Sequence, residues 1–513
     1  MSEQIFIGGG GEAYALPQDL LLALTNRHGL IAGATGTGKT VTLQILAEGL
    51  SAAGVPVFLA DVKGDLSGLA SAGSANQKLH EVFTKRSATI GLDLQYAAFP
   101  VTFWDLFGKQ GHPIRATIAE MGPLLLSRLL ELTDVQEGVL NVAFRVADEQ
   151  ALPLLDLEDL QALLVWVGQN ATELSLKYGN VATASVGAIQ RQLLVLENQG
   201  GAELFGEPAL DLMDLISCDT DGRGRINILA ADALMNSPVL YATFLLWLLS
   251  ELFEVLPEVG NPDKPKLVFF FDEAHLLFKD APKALVDKVE QVARLIRSKG
   301  VGVFFITQNP ADVPDSVLAQ LGNRVQHALR AFTAKDRKDL EKAAQTYRDN
   351  PRFSTVDAIR DVGTGEAVTS MLDAKGVPMV VERTLIRPPS SQLGPIEPNV
   401  RAALMAASPM ADKYSTRLDR DSAAEMLGRK ADAATRQSAE AEARKQADAD
   451  PEGHRNGRRY DGTTSNDQPT SRGTRSTGGG FGGALANVVV KELTGTTGRR
   501  IVRGILGGLF RGR

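Results

Sequence analysis

The chain has 513 residues, 44% hydrophobic, 22% charged and 6% aromatic, the composition of a globular protein with room for two to four domains, which excludes collagen-like, disulfide-stapled and wholly disordered chains. Its single cysteine, Cys218, has no partner for an internal disulfide, and the start MSEQIF lacks the basic and apolar regions of a secretion signal, so a cytoplasmic location is expected. Lysine plus arginine number 54 against 61 aspartate plus glutamate, a net charge of -7, which argues against the broad basic surface of a histone-like binder and confines any nucleic-acid contact to a local groove or pore.

Residues 1–105 alternate short apolar runs, such as Gly29 to Ala32 and Val55 to Ala60, with glycine-bearing turns and helical patterns. That alternation predicts an α/β domain. From 106 to 215 the period becomes helical, and Thr133 with Gln136 three residues on reads as a capping box opening a helix at Asp134, so this block is expected to be an all-helical insertion. Strand-like runs resume over 216–390, at Ile226 to Leu229, Leu267 to Phe271 and Val301 to Thr307, with Glu366 to Ile386 resembling a hairpin. The run Val239 to Leu249 between them is about half a bilayer span and leads into Glu251 and Glu254, which predicts a buried helix and no transmembrane segment. After Arg387, Pro388 and Pro389 the core signal fades. Residues 391–450 form a charged, helix-prone extension, 451–480 a Gly/Ser/Thr/Arg linker expected to be disordered, and 481–513 a basic amphipathic element. The last could meet a partner subunit, a membrane surface or nucleic acid, or be a solvated tail.

The strongest motif is Gly33-Ala34-Thr35-Gly36-Thr37-Gly38-Lys39-Thr40, placed after the apolar run Leu30 to Ala32 and before a helix with Leu43, Leu46 and Leu50 on one face. This is the strand-loop-helix setting of a phosphate loop. Its glycines let backbone N–H groups face a β-phosphate, Lys39 reaches the β- and γ-oxygens, and the Thr40 hydroxyl is suited to Mg²⁺. ATP with Mg²⁺ is the expected cofactor pair. A second site follows the five apolar residues Leu267 to Phe271, where Asp272 would orient the Mg²⁺ shell and Glu273 would polarise an attacking water. The two acids could instead cap the helix near Ala274. The strand Val301 to Thr307 ends in Gln308, placed to hydrogen-bond a γ-phosphate or water, or simply to end the strand.

Arg294 and Arg297 lie near a helix end, where they complement the dipole or, in a ring, enter a neighbour's site as an arginine finger. Asp61, Lys63 and Asp65 close the second strand in a turn that either couples to the nucleotide site or is merely polar. The six histidines show no ligand spacing, so no metal is expected apart from nucleotide-bound Mg²⁺. Asp272-Glu273-Ala274-His275 also spells the box of superfamily-two helicases, but no second helicase domain accompanies it.

Taken together, Gly33 to Thr40, Asp61 to Asp65, Asp272-Glu273, Thr307 to Pro310 and an arginine eleven residues before Gln308 resemble the HerA/FtsK superfamily of ring-forming ATPases, and most closely its bacterial HerA-like, YjgR-type members. The resemblance covers residues from about 5 to 390. It implies a RecA-like core with a mostly parallel central sheet, Lys39 and Thr40 holding Mg-ATP, Glu273 as catalytic base, Gln308 as γ-phosphate sensor and Arg297 as the trans finger. It also implies a homo-oligomer, typically a hexamer, that moves duplex DNA through a pore. Archaeal members carry a leading β-barrel that docks a nuclease, whereas 32 residues precede Gly33 here, so a nuclease partner is not expected. The rival expectation is an ATP-driven remodeller or switch acting on protein or at a membrane surface.

Overall fold

The computed structural model describes residues 3–278 and 283–448. The chain divides into two compact units, Met1–Ala441 and Glu442–Arg513, and the architecture below is that of the first. The linker and basic element expected at 451–480 and 481–513 lie outside the described residues.

Among the described residues, twelve strands join one sheet: β1 (Gln4–Gly10), β2 (Leu16–Leu21), β3 (Gly29–Ala32), β4 (Val57–Asp61), β5 (Val101–Asp105), β6 (His112–Pro113), β7 (Ile226–Ala230), β8 (Leu267–Phe271), β9 (Val301–Thr307), β10 (Asn323–Gln326), β11 (Glu366–Ser370) and β12 (Glu382–Ile386). Their order is β2-β1-β12-β11-β10-β3-β9-β8-β4-β7-β5-β6. From β10 to β6 all neighbours are parallel, while β2, β1, β12 and β11 form an antiparallel flank. The fold is thus α/β with a large, mostly parallel sheet.

The central strands are apolar throughout because helices cover both their faces. Leu267, Phe269 and Phe271 point into one core with Phe305, Phe58 and Leu30. Val268 and Phe270 point into the other with Ile31, Leu59 and the Leu43, Leu46 and Leu50 face of the helix Lys39–Ala52. The first core is extended by helices Ile118–Leu129, Asp134–Glu149, Leu157–Gln169, Ala171–Tyr178 and Thr183–Asn198. Thr133 N–H donates to Gln136 Oε1 at 2.9 Å at the start of the second, as the capping pattern predicts. Residues 106–215 hold fifteen acids against six lysines and arginines, so the acidic surplus of the chain is concentrated here.

Pro238–Val255 is the one described helix long and apolar enough to cross a membrane, yet two-thirds of it is buried inside the protein. Tyr241, Phe244, Trp247 and Leu248 pack in the same core, which makes it a core helix. The fading of core signal after Arg387 is not matched by the packing: Ser391, Ile396, Tyr414, Ala423 and Leu427 are all buried. At the start of this segment the reason is a polar anchor that hydrophobic periodicity does not register. The buried Glu48 carboxylate accepts from the Ser390 and Ser391 amides at 3.0 and 2.9 Å and from Ser391 Oγ at 2.7 Å, and pairs with Arg387 at 3.2 Å.

Candidate nucleotide-hydrolysis site

Strands β3, β9, β8 and β4 are consecutive neighbours, so the four segments that follow them meet at one carboxyl edge of the sheet, where ligands of parallel sheets bind. After β3 comes the loop Gly33 to Thr40, with Gly33, Gly36 and Gly38 at φ of 150°, 77° and 117°. Two of these glycines are required for different reasons. Gly36 needs its left-handed backbone but has open space around it, whereas a Cβ on Gly33 would stand 2.5 Å from His327 Cβ. Lys39 is buried and its ammonium donates to the Gly33 and Ala34 carbonyls at 2.6 and 3.1 Å. Burial and the nearby Lys63 lower its pKa, opposed by Glu273 and Asp272.

After β8, Glu273 adopts φ 49°, a left-handed conformation that costs a non-glycine residue roughly 1–2 kcal/mol and is characteristic of working sites. Its buried carboxylate faces Lys63 Nζ at 3.2 Å, His275 Nδ1 at 3.3 Å and Gln308 Nε2 at 3.4 Å. Gln308 in turn accepts from Thr35 Oγ1 at 3.5 Å, closing a path from the phosphate loop to the strand β9. A cavity of about 430 Å³ opens beside it, lined by His275, Phe278, Gln308 and Asp312. Asp272 is pushed up to about 7, because burial strips its water and Glu273 stands next to it, with Lys63 opposing. Its Oδ1 accepts the Glu273 amide at 2.9 Å, and Tyr241 OH donates to its carbonyl at 3.1 Å.

The turn after β4 joins the site. Asp61 Oδ1 and Oδ2 accept the amides of Gly64, Asp65 and Leu66 at 2.8, 3.2 and 3.0 Å, a fold-back that aims Lys63 at Glu273. Burial raises the Asp65 pKa, opposed by Lys63 and by the nearby Thr40 hydroxyl. Thr40, Asp65 and Asp272 are hard oxygen donors gathered beside the loop, and Asp272 holds a proton near neutrality that a cation would displace; this donor set fits Mg²⁺.

Arg297 is not brought to this edge. It occupies a short turn before β9, at the amino end of the strands, where its carbonyl accepts from Asn26 Nδ2 at 3.5 Å and Arg27 stands close enough to lower its pKa after burial. Arg294 is exposed. Arg27 is a neighbour that sequence spacing did not single out, as is His327. The latter directly follows β10 and sits behind the phosphate loop, fully buried, with Thr42 Oγ1 at 2.8 Å from Nε2 and the Glu366 carbonyl at 3.0 Å from Nδ1.

The family described as helicase HerA-like C-terminal matches residues 11–513. The chain is similar to the DNA double-strand break repair helicase HerA of Sulfolobus acidocaldarius, 21% identical over 350 residues that cover 67% of this chain and 62% of that protein. It is also similar to the helicase of the same name from Sulfurisphaera tokodaii, 22% identical over 356 residues with the same shares of 67% and 62%. It spans 62% of the length of these relatives. In fold it resembles the plasmid coupling protein TrwB in complex with a non-hydrolysable ATP analogue, with a TM-score of 0.50 and 15% identity over 77% of this chain and 92% of that one. With a phosphate loop, a paired-acid strand end and a glutamine-ended strand on one edge of its sheet, and the family's pattern along nearly its full length, this chain belongs to the HerA-like C-terminal helicase family.

Proposed function

We propose that the protein is a Mg²⁺-dependent ATPase that assembles into a ring, a hexamer, and uses hydrolysis to move DNA. The observation that carries the hydrolytic part is the convergence of Glu273 and Gln308, 3.4 Å apart, on the edge that bears Lys39. Glu273 is the group that polarises the attacking water, and Gln308 senses the γ-phosphate while bridging to Thr35. Lys39 exchanges its two carbonyl partners for the β- and γ-oxygens, and the loop amides of Gly33 to Thr40 receive the remaining phosphate charge. Thr40 and Asp272 would hold nucleotide-bound Mg²⁺, which supplies charge neutralisation on the phosphate oxygens. Lys63 holds Glu273 in the orientation seen, and its counter-charge must be yielded as the phosphates arrive.

Arg297, with Arg27 beside it, lies at the opposite strand end from its own phosphate loop, an arrangement that suits a neighbour's nucleotide in a ring. DNA as the moved polymer is supported by the family and by its repair-helicase relatives. A protein partner is favoured by one observation, the acidic helical block at 106–215, which repels a phosphate backbone. The deciding experiment is steady-state ATP hydrolysis with Glu273→Gln as blank, without nucleic acid and with duplex or single-stranded DNA at two salt concentrations. Stimulation that fades with salt supports the DNA motor. Glu273-dependent turnover indifferent to DNA at both salts removes the DNA half and transfers the search to a protein or membrane-surface partner of the helical block.

A further inference from the structure

The segment after His327 carries a surface that the hydrolytic site does not use. Phe332 is 85% exposed, the one phenylalanine among the large apolar side chains that face solvent in the described chain. Around it, on the loop and the helix Ala334–Ala344, Arg330, Lys335, Arg337 and Lys338 are exposed, and no salt bridge engages any of the four among the described residues. Of the three acids in the same stretch, Glu341 is exposed and the other two are already occupied. Asp336 accepts the Phe332 and Thr333 amides at 3.0 and 2.9 Å, and Asp339 accepts Asn309 Nδ2 at 2.9 Å. Asp336 therefore caps the helix and fixes the backbone of Phe332, so the ring is presented from an ordered turn. On its inner side the helix is seated by Leu340, Ala343 and Ala344 against Leu329 and Ile359.

This surface is tied to the nucleotide site at two points. The Ala34 amide of the phosphate loop donates to the Ala328 carbonyl at 2.8 Å, two residues before Arg330. The Asn309 to Asp339 bond begins one residue after Gln308. A displacement of either the phosphate loop or the β9 end is thus delivered to the helix that bears the cations.

We propose that Arg330, Phe332, Lys335, Arg337 and Lys338 form a nucleic-acid contact, the cations meeting backbone phosphates and Phe332 stacking on an unpaired base, and that it is moved by the γ-phosphate site through Asn309. The proposal rests on the reading of DNA as the polymer. Four unpaired cations interleaved with an ordered aromatic face match a polyanion that carries π-faces, the combination used to bind single strands. The acidic block at 106–215 offers no such surface, so a chain of net charge -7 needs a local one.

The test is fluorescence anisotropy of labelled single-stranded and duplex oligonucleotides with the full chain, comparing wild type, Phe332→Ala and a Lys335→Glu/Arg337→Glu/Lys338→Glu variant at several salt concentrations. Sizing profiles and the ATP KM without DNA are read alongside. Phe332→Ala is expected to weaken single-strand binding about 10-fold, in line with loss of one stacked base. Charge reversal is expected to weaken it at least 100-fold and to reduce the salt slope by about two to three. If wild type binds DNA and both variants bind equally well, the contact is elsewhere while the DNA reading stands. If wild type binds no DNA, that reading and this contact fall together. A Phe332→Ala protein that binds DNA normally but has a raised ATP KM or an altered sizing profile would make the ring a nucleotide-base or subunit contact, which also overturns the assignment.

Discussion

His327 makes the integrity of the phosphate loop depend on pH. Its Nδ1 faces the Glu366 carbonyl, which can only accept, so Nδ1 carries the hydrogen and Nε2 keeps the lone pair that receives the Thr42 hydroxyl. Complete burial, with the Lys39 charge nearby, lowers its pKa to about 4. In the unfolded chain the ring takes up its proton near 6.5. Between these values the unfolded state binds more protons, so stability rises with pH: the contribution is complete above about 6.5 and is lost as pH falls toward 4. At pH 5.0 the loss is about 2 kcal/mol. His28, equally buried and also lowered to about 4, adds a similar amount, for about 4 kcal/mol in all. The assay is urea unfolding of wild type and His327→Gln at pH 7.5 and 5.0. Glutamine can span the same two partners without titrating, so the variant starts less stable but should lose about 2 kcal/mol less on acidification. Because His327 also limits the space behind Gly33 and Gly38, wild-type ATP affinity should decline over the same window. Equal acid losses in the two proteins would refute a neutral, buried His327.

The two glycines of the loop separate sterics from backbone strain. Gly36→Ala should cost about 1 kcal/mol of stability through its left-handed backbone alone, whereas Gly33→Ala, driven into His327, should abolish nucleotide binding; calorimetric titration with ATP distinguishes them, and equal behaviour would contradict the packing. Glu273→Gln should bind ATP and lose about 10²- to 10⁴-fold in turnover, while Lys39→Ala should fail to bind; near-normal turnover in the former would exclude Glu273 as base. Lys63→Ala should reduce turnover about 10-fold by letting the Glu273 carboxylate drift, with ATP affinity kept, and an unchanged kcat would show that the ion pair does not position it. Arg297→Ala subunits should be inactive alone but regain hydrolysis when mixed with Lys39→Ala subunits, which lend Arg297 to intact phosphate loops; no recovery on mixing would reject action in trans.

The elements legible in the sequence were those whose signal is local. Five apolar residues before Asp272 and the seven-residue run Val301 to Thr307 before Gln308 mark strands buried on both faces, and the glycine spacing before Lys39 marks the loop, so the carboxyl edge with Lys39, Glu273 and Gln308 follows from motif and strand pattern together. The β11–β12 hairpin was legible as the run Glu366 to Ile386, whereas the strand that joins it to the parallel sheet was not. β10 is only Asn323 to Gln326, with polar residues at both ends, and its pairing to β3 is nearly 300 positions distant; His327 therefore looked like one of six scattered histidines. Lys63 and Asp65 were ambiguous for a related reason, since a polar turn and a turn folded around Asp61 have the same composition. Only the three amides gathered on Asp61 decide which way Lys63 faces. The packing beyond Arg387 escaped because its anchors are polar: Glu48 holds Ser390 and Ser391, Asp214 accepts the Tyr414 hydroxyl and Asp159 accepts the Ala424 amide.

The pairing of β1 with β12, Gly8 against Ile386, has a consequence for how the chain is made. The phosphate-loop strand β3 is flanked by β9 and β10, so nothing emitted in the first half of synthesis can complete its neighbourhood. At about 5–20 residues per second, roughly 20 to 80 seconds separate the appearance of β1 from that of the strand it must find. During that interval the apolar strands before the helical block stand with open edges, the condition that invites aggregation or chaperone capture. The helices of 106–215 bury much of their surface among themselves and are rich in local contacts, the kind that form fast. They would give the nascent protein an early folded mass, while the nucleotide site itself is among the last parts to exist.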